Sequence, residues 1–221
     1  MNLQIIVLEL IYTFLVIFPA LFIFLNTKRL YNFSKYLSLK YFSYAFLFFI
    51  FAFLVRLIYF TSINYSDFYF FQILLYNNYL LILFEFLFLL PGFYFLMSLI
   101  HKHIKSNKLN QYIIYCSFLI LFLIVAILDY LFHTFFLMYI VAIIIFFFNS
   151  LISYKNYLKK RTLYGQIFSL SMMLLLFAWI LNFATQNILD KIPIIRYYIY
   201  LINVVAIFII FFIVSKMVKD F

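Results

Sequence analysis

Two glutamates and one arginine lie inside long apolar runs of this sequence, at Glu9, Arg56 and Glu85, and Asn182 and Asn203 lie in two later runs. An ionisable side chain at membrane depth costs about 3 kcal/mol or more, so such groups usually pair and often carry function. Counted along helices at about 1.5 Å per residue, all five positions fall roughly 6–10 Å below the same boundary of the membrane. The sequence therefore predicts a Glu9–Arg56–Glu85 cluster with the two asparagines lining it.

This predicted cluster would carry a net charge of −1 with both glutamates ionised. A bound proton or a cation would neutralise it, so its chemistry suits a proton-sensing, proton-coupled or cation-binding site. The same three residues could instead only hold helices together, because buried ion pairs sometimes specify packing. Asn182 and Asn203 taken alone favour packing, because asparagines hydrogen-bond across membrane helices.

A second group of titratable residues is predicted near the rim of the bundle. Asp129 and His133 are four residues apart and share a helix face if the helix extends that far. They are either a pH-sensitive pair at the outer rim or, as we expect, a solvated helix end. His101 and His103 point to different faces, and Cys116 is the single cysteine, which excludes a cysteine-pair metal site. No metal or cofactor is expected.

Seven apolar runs must position these residues. The chain has 221 residues, of which 70% are hydrophobic and 10% charged, too few polar groups to cover the surface of a soluble domain. A membrane helix needs roughly 20 apolar residues. The predicted spans lie near 3–25, 41–60, 78–100, 112–131, 134–152, 167–187 and 197–215. We therefore predict an all-α, seven-transmembrane-helix bundle that forms a single integral membrane domain over residues 1–221, and we expect the first span to be retained rather than cleaved as a signal peptide.

The positive charges occupy every second gap between the runs. These gaps and the tail contain Lys28, Arg29, Lys35, Lys40; Lys102, Lys105, Lys108; Lys155, Lys159, Lys160, Arg161; and Lys216, Lys219. The positive-inside rule then puts the N-terminus outside and the C-terminus in the cytoplasm of a multi-pass protein of the cell membrane. The formal charge of +10 is better explained by attraction to anionic lipid at the cytoplasmic face than by nucleic acid.

Small residues share helix faces with the polar ones. Ala20 lies on the face of Glu9, Ala45 and Ala52 on that of Arg56, and Ala206 on that of Asn203. These faces are predicted to pack inward while the large apolar residues meet lipid. Outside the spans, Leu30, Phe33, Leu37 and Tyr41 recur at helical spacing among lysines, which predicts a short interfacial helix.

Several functional classes are excluded by missing motifs. The last run has no lysine at mid-depth for a retinal Schiff base, and the third run ends in His101-Lys102-His103 where a G-protein-coupled receptor would carry Asp/Glu-Arg-Tyr. H-E-x-x-H, a P-loop and G-x-S-x-G are absent from the sequence. We therefore expect that the protein is not an enzyme.

The stretch from Lys28 to Phe60 (KRLYNFSK…KYFSYAFLFFIFAFLVRLIYF) resembles small uncharacterised seven-helix membrane proteins of archaeal genomes, and is similar to the seven-helix sensor regions of some histidine kinases. The resemblance implies a sensor that passes its signal to a cytoplasmic protein partner. Our leading hypothesis is thus a receptor- or sensor-like bundle with an outward-facing polar pocket. The alternatives are a small-solute or proton-coupled transporter, for which Asn149, Ser150, Ser169 and Ser171 hint at a polar path, and a membrane assembly or scaffold protein.

Overall fold

The computed structural model describes residues 3–64, 84–89, 91–92, 108–132, 136–187 and 193–219. Six long helices lie within these ranges: α1 (Leu3–Ser34), α2 (Leu37–Asn64), α3 (Lys108–Leu131), α4 (Phe136–Lys160), α5 (Leu163–Asn187) and α6 (Pro193–Lys219). Residues 84–89 and 91–92 are also helical and are called the Glu85 segment below. The ranges just given contain no strand, so the all-helical prediction is confirmed for them.

Five of the helices, α1, α2, α4, α5 and α6, are long and apolar enough to cross a membrane. Their outer faces carry large apolar side chains, such as Phe18 at 71% and Leu201 at 64% exposure. A water-soluble monomer rarely exposes so much apolar surface, and lipid is the solvent that suits it. The chain is therefore a membrane-embedded helical protein. Of the other two predicted spans, 112–131 lies within α3, and 78–100 lies mostly outside the described residues, so seven spans remain a prediction.

The first helix is longer than predicted. α1 does not end near residue 25 but continues to Ser34, and α2 begins at Leu37, so the predicted interfacial helix through Leu30 and Tyr41 is wrong. Lysine and arginine are good helix formers whose long stems let the charge reach the interface, so Lys28 and Arg29 do not stop the helix. The break comes at Lys35, whose φ is 56°.

Two tight turns of the same kind link neighbouring helices. The Lys35 N–H donates to the Tyr31 carbonyl at 2.8 Å, and the Arg161 N–H donates to the Tyr157 carbonyl at 2.7 Å. Both residues have a positive φ, 56° and 46°, which is the left-handed conformation that ends many helices. Thr162 then begins α5, because its hydroxyl accepts the Gly165 N–H at 3.2 Å as an N-cap. α1–α2 and α4–α5 are thus antiparallel helical hairpins.

The helices pack in an order that brings both hairpin turns to one end. α1 contacts α2 and α6, α5 contacts α4 and α6, and α3 contacts α4. α1 and α6 run parallel, since Tyr12 lies against Tyr200 with ring centroids 4.2 Å apart, and ten residues later on α1 Phe22 lies 4.6 Å from Phe211. Phe42 and Phe168, near the starts of α2 and α5, are 6.3 Å apart. The lysine-bearing turns and the C-terminal end of α6 therefore form one end of the bundle, called the basic end; the opposite end, where α1 and α6 begin, is called the cluster end.

The inward faces follow the small and polar residues. Ala20, Ala45, Ala52 and Ala206 are each at most 1% exposed, which confirms the prediction that they pack inward. Gly92 brings the Glu85 segment close to α2: a Cβ there would lie 2.5 Å from Cε1 of Phe49 and 3.2 Å from the Ala45 carbonyl oxygen. A Cβ at position 92 would force the Phe49 ring to move, so the glycine allows the close approach that positions the Glu85 segment against α2.

Candidate functional site

Arg56, near the end of α2, is the centre of the site. Its Nη2 donates to Oε2 of Glu9 on α1 at 3.2 Å, and its Nη1 donates to Oε1 of Glu85 at 3.3 Å. The two glutamates are 47 and 29 residues away in sequence, and both ion pairs lie at the cluster end. The structure thus brings together the three charged residues that the sequence indicated.

A pair of tyrosines adds α6 to this arrangement. Nη2 of Arg56 donates to the Tyr200 hydroxyl at 2.9 Å, and that hydroxyl donates to Oε1 of Glu9. The rings of Tyr200 and Tyr12 stack with centroids 4.2 Å apart, and Asn203 donates to the Tyr12 hydroxyl at 3.3 Å. The guanidinium carbon lies 5.3 and 5.4 Å from the centroids of Tyr12 and Tyr200, within the range of cation–π attraction. Arg56 is therefore held by hydrogen bonds in its plane and by aromatic rings.

A cavity of about 130 Å³ lies against this cluster. Its polar lining comes from Arg56, Glu85, Asn182 and Asn203, together with the hydroxyl-bearing Tyr12 and Tyr139. Its walls are mainly aromatic: Phe46, Phe49, Phe53, Phe86, Phe146 and Trp179. An engineered cavity of about 150 Å³ in another protein admits benzene, so this one has room for a ring-sized group.

The two glutamates differ in their environment. The Glu9 side chain is 3% exposed and, through both carboxylate oxygens, bonds Arg56 and Tyr200. The Glu85 side chain is 15% exposed and lines the cavity, whereas Glu9 does not. Within the described ranges, Arg56 is the one hydrogen-bond partner of the Glu85 carboxylate. Glu9 is the packed partner of the arginine, and Glu85 is the carboxylate that a molecule in the cavity could reach.

The remaining predicted residues separate into cavity-lining and structural ones. Asn182, half-buried on α5, and Asn203, buried on α6, both line the cavity. Asp129 is only 1% exposed and accepts the backbone N–H groups of Leu137 and Met138 at 3.1 and 2.8 Å. The solvated helix end expected at Asp129 is therefore wrong: its carboxylate satisfies amides in the first turn of α4 that lack helical partners. His133, His101 and His103 lie outside the described residues.

Tyr12 and Tyr200 were not predicted as site residues. The sequence has 21 tyrosines, so any one of them carries little information. The available signal was spacing: Tyr12 follows Glu9 by three residues and Tyr200 precedes Asn203 by three, which puts each pair on one helix face. Trp179, the single tryptophan, shares a face with Asn182 in the same way.

Among the residues that the structure describes, no three His, Cys, Asp or Glu side chains are grouped so as to hold a metal ion. No family model, curated protein or solved structure matches this chain. The resemblance of Lys28–Phe60 to seven-helix sensors therefore stays a prediction, and function must be argued from the cluster and its cavity.

Proposed function

We propose that this protein is a receptor- or sensor-like bundle of the cell membrane whose cavity binds a small organic cation through Glu85. The observation that carries the proposal is the cavity of about 130 Å³ bounded by Glu85, Arg56 and aromatic side chains. Protein interiors are normally close-packed, with few voids larger than a water molecule. Space retained beside an intramembrane ion cluster favours a ligand site over a purely structural one.

The charge of the cluster favours a cation. Arg56 is already paired with two carboxylates, so an anionic ligand would meet an ionised cluster with a net charge of −1. An ammonium group at Glu85 would bring that charge to zero. The aromatic walls suit the same ligand, because ring faces attract cations and ring bodies pack against apolar groups. The ligand class that fits is an amine with one ring-sized apolar body.

The distribution of basic residues supports the orientation of the site. By the positive-inside rule the basic end is cytoplasmic, so the N-terminus and the cluster end face outward. In this orientation the cavity receives its ligand from outside. A cytoplasmic protein partner then responds to the conformational change that ligand binding causes at the basic end.

Transport of the same ligand is the second candidate function. Asn149, Ser150, Ser169 and Ser171 are each at most 5% exposed, so buried polar groups occur on α4 and α5 nearer the basic end than the cavity. Phe46 and Phe146 line the cavity and are 1% exposed, and Phe146 is one helical turn from Asn149. Movement of these rings would join the cavity to the buried polar groups.

The test is thermal unfolding of the protein in nanodiscs with phenethylamine, beside its matched acid 3-phenylpropanoate. A ligand at about 100 times its dissociation constant adds roughly 2.7 kcal/mol of stability, which shifts the melting temperature measurably. We expect phenethylamine to stabilise the wild-type protein and the acid to have no effect.

Two glutamine variants supply the matched control. Glu85→Gln and Glu9→Gln each remove one carboxylate from the cluster, but only Glu85 lines the cavity. Both variants bring the net charge of the cluster to zero, so phenethylamine should bind more weakly in each. Stabilisation should be lost in Glu85→Gln, which has no carboxylate in the cavity, and only reduced in Glu9→Gln, which keeps Glu85. Equal loss in both variants, or stabilisation by neither compound, would favour a scaffold whose charges only hold helices together. Uptake of labelled phenethylamine by proteoliposomes would show that the protein transports the ligand and is not only a receptor for it.

A further inference from the structure

A second concave feature lies at the basic end, between the first two helices. It is a groove of about 170 Å³ lined by Phe24, Lys28, Tyr31, Asn32, Lys40, Ser43, Tyr44 and Leu47. Lys28 comes from α1 and Lys40 from α2, so the hairpin turn brings two positive charges to one recess. We propose that this groove is a phosphate-binding site whose occupant is the headgroup phosphate of an anionic phospholipid.

The groove has no acidic side chain among the described residues that line it, and the sequence has none between Glu9 and Asp67. Lys35, in the turn itself, adds further positive charge, since its Nζ lies 5.8 Å from the ring centroid of Tyr31, which lines the groove. Two ammonium groups held in one recess without a carboxylate repel each other, and a bound anion relieves that repulsion. The recess is thus electrostatically suited to a phosphate.

Aromatic rings hold the lysines in place without neutralising them. Lys40 Nζ lies 5.9 Å from the Tyr31 centroid and 5.7 Å from the Tyr44 centroid, and Lys28 Nζ lies 5.6 Å from that of Phe24. Contacts of this kind orient an ammonium group but leave its hydrogen-bond donors for an acceptor. The Tyr31 hydroxyl and the Asn32 side-chain amide, which also line the groove, carry further donor groups.

The position of the groove favours a lipid over a free phosphate. Lys40 is one residue after the start of the apolar span Leu39–Tyr59, and Lys28 is six residues before the end of the span Val7–Ser34, so both lysines lie near the end of a span. Phe24 and Leu47 form the apolar part of the lining. Farther along the helices, Leu21 and Phe51 are each 43% exposed and continue that apolar surface. A phospholipid has a phosphate group for the lysines and acyl chains for the apolar surface. Basic pockets between membrane helices are a known type of headgroup site.

The experiment compares lipid binding by native mass spectrometry after equilibration in equal parts POPC and POPG. The variant Lys28→Gln/Lys40→Gln is set against Lys155→Gln/Lys159→Gln, which removes the same charge from two exposed lysines on α4 that do not line the groove. The groove variant should lose roughly 25-fold in preference for POPG, about fivefold per lysine, and the control should keep the wild-type preference. Lys28→Arg/Lys40→Arg should also keep it, which separates loss of charge from loss of folding.

A second arm identifies the source of the phosphate. Glycerol 3-phosphate and inorganic phosphate are added to wild-type protein in POPC nanodiscs, and thermal unfolding is followed. No stabilisation by either compound, together with the POPG preference, supports a lipid site. Stabilisation that the groove variant abolishes would overturn the lipid assignment in favour of a soluble phosphate. Equal loss of POPG in the groove and control variants, or no POPG preference in the wild type, would overturn the proposal.

Discussion

At the cluster end, Arg56 is surrounded by two carboxylates, two tyrosine rings and a cavity, and Glu9 beside it is 3% exposed. At the basic end, Lys28 and Lys40 line a groove whose described lining contains no carboxylate, and their ammonium groups lie over aromatic rings. The same helices α1 and α2 provide both sites. Within the part of the chain that the structure describes, this hairpin therefore has its buried arginine paired with carboxylates and the two lysines near its turn without a carboxylate partner.

The difference follows from what surrounds each charge. Removing an ion from water costs several kcal/mol unless a partner and hydrogen bonds replace the water. Arg56 has such replacements from α1, α6 and the Glu85 segment. The lysines at the other end reach the boundary on long stems and need no partner from the chain. The buried ion pairs therefore hold the helices together at the cluster end. The lysines at the basic end instead leave a positively charged surface that can bind an anionic lipid.

The largest expected effect is at Arg56. Arg56→Met leaves two carboxylates buried without their cation, so we expect a loss of about 3–5 kcal/mol in the free energy of unfolding. Lys28→Met is the matched change at the basic end and should cost less than about 1 kcal/mol. Denaturant titration in mixed micelles measures both. Similar losses of unfolding free energy in the two variants would contradict the view that charge stabilises the fold only at the cluster end.

An intermediate effect is expected where the Glu85 segment meets α2. Gly92→Ala puts a methyl group 2.5 Å from a ring carbon of Phe49, a cavity-lining residue, and should cost about 1–3 kcal/mol. Gly165→Ala, at the basic end, meets mainly the Thr162 hydroxyl at 2.9 Å and should cost under about 1 kcal/mol, because alanine favours helix. The same titration compares the two. A tolerated alanine at position 92 would mean that close packing there does not set the position of Glu85.

The smallest effect of the series concerns the tyrosine hydroxyl that links Arg56 to Glu9. Tyr200→Phe keeps the ring stacked on Tyr12 but removes its hydrogen bonds to Arg56 and Glu9. Because these two groups still bond each other, the cost should be about 1.5 kcal/mol, the low end for one bond to a charged group. Tyr198→Phe, at a position 62% exposed, should leave the melting temperature unchanged. If both variants melt together with the wild type, the cluster depends on its ion pairs alone.

The partners of the ion cluster were predictable because intramembrane charges are few. With one arginine and two glutamates inside the runs, and with helices that alternate in direction, little freedom remained in the pairing. The tyrosines were not predictable, since many equivalent ones compete for each position. The cavity also required the structure, because its volume depends on where aromatic rings such as Phe49 pack.

Two structural details depended on geometry that residue types do not specify. Asp129 caps α4 only because α4 begins at Phe136, close enough for its first amides to reach the carboxylate. The groove exists only because α1 continues to Ser34 and turns at Lys35, which brings Lys28 opposite Lys40. The sequence pattern predicted a helix end nine residues earlier, where the charges begin, although charge alone does not stop a helix.

The hairpin turn at Lys35 also bears on how the protein enters the membrane during synthesis. The turn joins α1 and α2 so closely that the two helices can insert together, and Glu9 and Arg56 lie at the open end of that hairpin. A hairpin that inserts as a unit carries Arg56 into the membrane already paired with Glu9, and Glu85 adds a second carboxylate to that ion pair.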